Sequence, residues 1–165
     1  MAFLLSLSCF GTAYSIERKI KTNTGSHIVH EKNNVIKDDN GELELNLHYN
    51  KLTQEIAIAF KYTDNNWLFL NEKKSIYFLF ADGDIIIISP KENITRNVQK
   101  SGPAREIIKE SFEALISDEL KRKLLQTRLI GIRLDGNGRY KEYQYDMKRL
   151  QKRWKEFFIL IQKNT

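Results

Sequence analysis

Between residues 42 and 49 the chain alternates. Leu43, Leu45, Leu47 and Tyr49 take every second place, and Glu42, Glu44, Asn46 and His48 fill the places between. A period of two sets the first group on one face of a strand and the second on the other, which a helix cannot use. The alternation returns in Ile56, Ile58, Phe60 and Tyr62 against Ala57, Ala59 and Lys61. The small alanines predict that the second face of this strand is partly covered as well. Asp38-Asp39-Asn40-Gly41 marks a tight hairpin turn before the first strand, because Asn-Gly readily supplies positive φ angles. Asn50-Lys51 turns the chain between the two strands. Asp64-Asn65-Asn66 ends the second, and residues 67–70 begin another.

Residues 75–81 and 84–88 flank Asp82-Gly83, a second hairpin signal. The run of four isoleucines, Ile85–Ile88, predicts a central strand buried on both faces, closed by Pro90. From Lys91 to Ser111 the pattern blurs. Either Pro103 opens a helix carrying Ile107, Ile108 and Phe112, or residues 112–116 form a short strand. Ser117 with Asp118 and Glu119 reads as a helix start, a hydroxyl cap followed by acids that suit the positive end of the helix dipole. That helix is brief, since residues 129–134 are strand-like again, and Asp135-Gly136-Asn137-Gly138 turns the chain into residues 140–145.

The last element is the clearest helix. Met147, Leu150, Trp154, Phe157, Phe158 and Ile161 recur at steps of three and four and make one apolar stripe, with Asp146 near its start. The resulting fold class is α+β. A mainly antiparallel sheet of about six to eight strands, open or curled, packs against this long C-terminal amphipathic helix, with one short helix near residues 117–126. Residues 42–165 make the single α+β domain, and residues 16–41 a polar N-terminal extension with little regular structure.

Residues 1–15 differ from the rest. They carry no charged side chain, then give way to Glu17, Arg18 and Lys19. An apolar stretch with small residues at Ala13 and Ser15 fits a secretory leader with its cleavage zone. The expectation is export to the periplasm or cell envelope, and the alternative is a cytoplasmic protein. Ser8-Cys9 allows a lipid anchor through Cys9. As the one cysteine of the chain, Cys9 excludes an intrachain disulfide and any multi-cysteine metal site.

The net charge of +6 is unevenly spread. Residues 139–165 hold eight Lys/Arg against three Asp/Glu, whereas residues 16–138 are nearly balanced, with 19 against 18. The basic excess therefore belongs to the C-terminal segment, where Lys148, Arg149, Lys152, Arg153 and Lys155 lie off the apolar stripe of the last helix. Such a face suits an envelope protein, a glycan or an anionic surface, and nucleic acid less well, because Trp154 lies in the apolar stripe and is not free to stack on bases.

The succession of residues 75–88 around Asp82-Gly83, then Ile116-Ser117-Asp118-Glu119, then Ile130-Gly131-Ile132-Arg133 and a closing helix resembles a loose group of small, uncharacterised bacterial proteins, many of them exported. The resemblance covers residues 75–165 and consists of packing and turn motifs. It implies topology, a strand over residues 112–116 and a bacterial origin; it transfers no functional residue.

Catalytic chemistry finds little support. There is no Gly-x-Ser-x-Gly elbow and no phosphate-cradling Gly-Lys-Ser/Thr loop, and the carboxylates fall on turns and solvent faces. His27 and His30, with Glu31 beside them, suggest a metal. On a strand, however, residues three apart point to opposite faces, and only His48 could complete a trio. Asp38–Glu42 and Asp135–Gly138 are oxygen-rich but lack the register of a calcium loop. No cofactor, metal or catalytic residue is assigned. The expected function is a non-catalytic exported or envelope-associated binding domain; the alternatives are a cytoplasmic nucleic-acid-binding module on the basic helix and a carboxylate-dependent hydrolase.

Overall fold

The computed structural model describes residues 18–20, 27–31, 34–38, 41–64, 70, 76–91, 94–100 and 106–163. The expected leader and cleavage zone over residues 1–15 lie outside them, as does most of the strand expected over residues 67–70. The described elements are β1 (Arg18–Ile20), β2 (His27–Glu31), β3 (Val35–Asp38), β4 (Gly41–Asn50), β5 (Glu55–Asp64), β6 (Ile76–Phe80), β7 (Ile85–Ile88), β8 (Thr95–Lys100), β9 (Glu106–Leu115), α1 (Asp118–Gln126), β10 (Leu129–Asp135), β11 (Tyr140–Tyr143) and α2 (Met147–Gln162). The α+β class, the antiparallel pairing, the short helix and the long C-terminal helix stand as the sequence predicts.

The single sheet does not. The strands form two antiparallel sheets, one of seven strands in the order β1-β2-β4-β5-β9-β8 with β3 also on β4, and one of four in the order β11-β10-β6-β7. Alternation fixes which face a residue takes but not which strand lies beside it. Here β5 takes β9 as its neighbour, and β6 pairs instead with β7 and β10.

The polar stretch over residues 16–41 is also more ordered than expected, since it contributes β1, β2 and β3. Strands β2 and β3 occupy one edge of β4 in succession. Glu31 lies opposite Leu47 and Val35 opposite Glu44, so four steps on one side match three on the other. Between these pairs the Asn34 carbonyl accepts a 2.8 Å bond from the Leu45 N–H. Asp38 pairs with Gly41, placing the hairpin where it was expected. A Cβ on Gly41 would lie 2.0 Å from the Thr63 carbonyl oxygen, so only glycine fits beside β5.

Leu43, Leu45, Leu47 and Tyr49 of β4 face inward beside Tyr62, Phe60, Ile58 and Ile56 of β5, as their alternation requires. The region that could not be assigned between helix and strand is the ten-residue strand β9, with Ile108, Glu110, Phe112 and Ala114 inward. Phe60 and Phe112 stack there, centroids 4.8 Å apart. The isoleucine run is corrected. β7 is an edge strand of the second sheet, and Ile85 and Ile87 are 53% and 45% exposed while Ile88 is buried. An unbroken Ile run carries no alternation, so it cannot reveal that only one face packs.

Ser117 caps α1, its Oγ accepting from the Leu120 N–H at 3.1 Å. On α2 all six residues of the expected stripe are buried, and Gln151 joins them. Gln151 lies among the backbone groups at the end of α1: its Nε2 donates to the Leu124 and Thr127 carbonyls and its Oε1 accepts from the Leu129 N–H at 3.0 Å. One amide thus satisfies polar groups that the packing of α2 removes from water. Asp146 stands at the start of α2 as expected, its N-cap, in left-handed backbone (φ 59°) and without a side-chain cap bond. The buried side chains of both sheets and both helices form one core cluster.

Candidate basic interface on the C-terminal helix

Burial of the stripe dictates where the cations of α2 go. With Leu150, Trp154, Phe157, Phe158 and Ile161 in the core, Lys148, Arg149 and Lys152 stand exposed and Lys155 half-buried on the outward side. Lys148, Lys152 and Lys155 follow one another at steps of four and three, so they line a single face. Arg149 donates to Asp146 Oδ2 at 3.0 Å, and Lys152 lies 4.0 Å from Glu156. The side chains of Arg149 and Lys152 are 61% and 73% exposed, and pairs so wet hold each other by less than about 1 kcal/mol. Both cations remain available to an outside partner.

Arg153 is the exception among the five. It is half-buried, and its Nη1 donates to Asn34 Oδ1 at 2.9 Å, tying α2 to the edge of the first sheet. The structure therefore places four of the five predicted side chains on the outward face and gives the fifth a structural bond. Trp154 is fully buried, as its place in the stripe required, whereas Tyr145, just before the helix, is 80% exposed.

Four titratable groups elsewhere are arranged to stay charged. Lys123 of α1 reaches both Asp82 and Asp84 in the β6–β7 turn; its hydrogen bond holds the Asp82 carboxyl below its ordinary value, and the two acids raise the Lys123 ammonium. On the second sheet the Gln144 amide, then the Arg133 guanidinium, lower the Glu142 carboxyl, and Glu142 in turn raises Arg133. A general acid or base needs a shift towards neutrality, and these four groups move away from it.

Two ion pairs involve carboxylates of the interior. Asp64 of β5 is fully buried and meets Lys141 of β11 across 3.7 Å, one partner from each sheet. The rings of Tyr62 and Tyr143 flank the Lys141 ammonium, with centroids 5.7 and 5.3 Å away. Next to Tyr62 in the register, Glu110 pairs with Arg96 and accepts the Leu70 N–H at 3.0 Å, while Leu70 bridges to Gly136 beside the second sheet. The Asp64–Lys141 pair and the Leu70 bridge link the two sheets. Sequence reading missed both carboxylates although the signal was present: Asp64 continues the inward parity of Ile56–Tyr62, and Glu110 that of Ile108 and Phe112.

Among the described residues no group of three or more His, Cys, Asp and Glu side chains is placed to hold a metal ion, and no helix is long and apolar enough to cross a membrane. No protein-family model, curated protein or solved structure matches the chain.

Proposed function

We propose that this chain is a non-catalytic, exported or envelope-associated domain that binds an anionic surface through the outward face of α2. The observation that carries the reading is the display of Lys148, Arg149, Lys152 and Lys155 on a helix whose opposite face is locked into the core. A helix anchored in this way presents its charges on a fixed platform, so binding costs little ordering of the backbone. The charge-free leader supports placement outside the cytoplasm, and the resemblance to exported bacterial proteins points the same way. A bilayer rich in anionic lipid is the partner favoured over nucleic acid, since the one tryptophan of α2 is buried and cannot stack on bases.

Co-sedimentation with vesicles tests this. The domain should bind phosphatidylglycerol vesicles at low salt, ignore phosphatidylcholine vesicles, and dissociate as salt rises. Each lysine or arginine near an anionic surface contributes about 1 kcal/mol, so replacing Lys148, Arg149, Lys152 and Lys155 with Gln should weaken binding by roughly a hundredfold or more. Equal binding by the quadruple variant would refute the assignment. Tighter salt-sensitive binding to duplex DNA than to the vesicles would favour the nucleic-acid reading instead.

A further inference from the structure

The open edge of the second sheet offers a contact of another kind, independent of α2. β7 ends the order β11-β10-β6-β7, and among the described residues no strand lies on its other side. One bond fixes how its backbone points: the Phe80 N–H donates to the Asp84 carbonyl at 3.0 Å. Facing residues of an antiparallel pair alternate between bonded and non-bonded. Counting on from Asp84, Ile86 and Ile88 bond to Phe78 and Ile76, while Ile85 and Ile87 face Leu79 and Tyr77 without bonds. The N–H and C=O groups of Ile85 and Ile87 are therefore turned to the open edge.

Edges are ordinarily guarded by charges, proline or a bulge. β11, at the other end of this sheet, carries Lys141 and Glu142, and β8, which ends the first sheet, carries Arg96 and Lys100. β7 is four isoleucines paired to β6 without a shift in register. Its Ile85 and Ile87 side chains stand half-exposed on the outer face, beside Leu79 and Tyr77.

We propose that β7 pairs antiparallel with β7 of a second copy of this chain, about a two-fold axis beside Ile86. In that register Ile85 lies opposite Ile87 of the second copy, and Ile87 opposite its Ile85. Every backbone group turned to the edge then finds a partner, and the outer isoleucines of both copies meet on one face. Setting Ile85 against Ile85, or Ile87 against Ile87, would instead leave the other isoleucine opposite Gly83 of the turn or Ser89 beyond the strand. Charge agrees with the antiparallel sense. The acidic end of one strand, where Asp82 and Asp84 share Lys123, comes beside the end that leads to the exposed Lys91 of the other. A second copy supplies both the matching backbone and the opposite charge, which favours it over an unrelated strand.

Sedimentation equilibrium of the full chain tests this. So short a pairing makes a small interface, so association is expected at micromolar concentration or above, with the mean mass rising from 19.4 kDa towards twice that value. Ile85→Lys combined with Ile87→Lys sets like charges across the pair and should hold the chain at the monomer mass. Ile87→Pro keeps the face apolar and the bonds to β6 intact but deletes an outward N–H, so it should weaken association by about tenfold or more. Val98→Lys, on the edge strand β8, should associate as the unmodified chain does. Thermal melts check that each variant folds. A chain that stays monomeric at every concentration overturns the proposal and leaves the edge to a strand of another protein. Association unchanged by Ile87→Pro also overturns it, because stacking of the outer faces would survive that substitution.

Discussion

Trp154→Ala should destabilise the domain by about 3–5 kcal/mol, the largest loss expected of any single apolar side chain here. The indole is fully buried and sits on Phe78 of β6, ring centroids 6.1 Å apart, with Phe157 and Phe158 one turn along. Truncation opens a cavity where α2 meets the second sheet, and neighbours held by two sheets have little freedom to fill it. Phe158→Ala belongs to the same range. Trp154→Phe should cost much less, because the indole N–H has no hydrogen-bond partner among the described residues and its loss leaves no acceptor stranded. Urea denaturation measures all three. Unchanged midpoints for the two alanine variants would contradict the packing described for α2.

The second large effect is electrostatic. Lys141→Met should also cost about 3–5 kcal/mol, because it leaves the Asp64 carboxylate buried without the cation that reaches it from the other sheet. At 3.7 Å and an effective dielectric near 20 the pair attracts by about 4–5 kcal/mol. Desolvation costs several kcal/mol per ion, so the intact pair roughly balances while half of it does not. Replacing both partners, Asp64→Leu with Lys141→Met, should therefore recover most of the loss. A double variant no more stable than the single one would show that the pair does not join the sheets in this way.

What could be read along the chain depended on how cleanly each strand separates its faces. β4 puts apolar residues inward and mostly polar ones outward, and β5 does the same as far as Tyr62, with Asp64 at its last inward place, so their faces were legible. β9 hides the same alternation because Glu110 occupies an inward place, so an apolar count sees only scattered Ile and Phe. β8 is exposed at every described position and has no apolar pattern to read. β1, β2 and β3 lie in a polar stretch; β2 and β3 pair along the edge of β4 and β1 pairs with β2, a source of order that side-chain patterning does not report. The division into two sheets was illegible for a different reason: strand partners are chosen by the three-dimensional path of the chain, not by any one strand's sequence.

The basic face on α2 was legible because a 3.6-residue period separates stripe from remainder without knowledge of the neighbours. What the period could not reveal was that Gln151 fills a stripe position to serve the end of α1, or that Arg153 leaves the outward face for Asn34.

Export and the basic face make one claim, a domain working outside the cytoplasm against an anionic surface. The intact mass of the chain in a high-salt wash of the envelope fraction from producing cells tests it most directly. The predicted result is a chain beginning near Ile16, released from the envelope by salt. A chain retaining Met1, found in the soluble cytoplasm and missing from the wash, would contradict it.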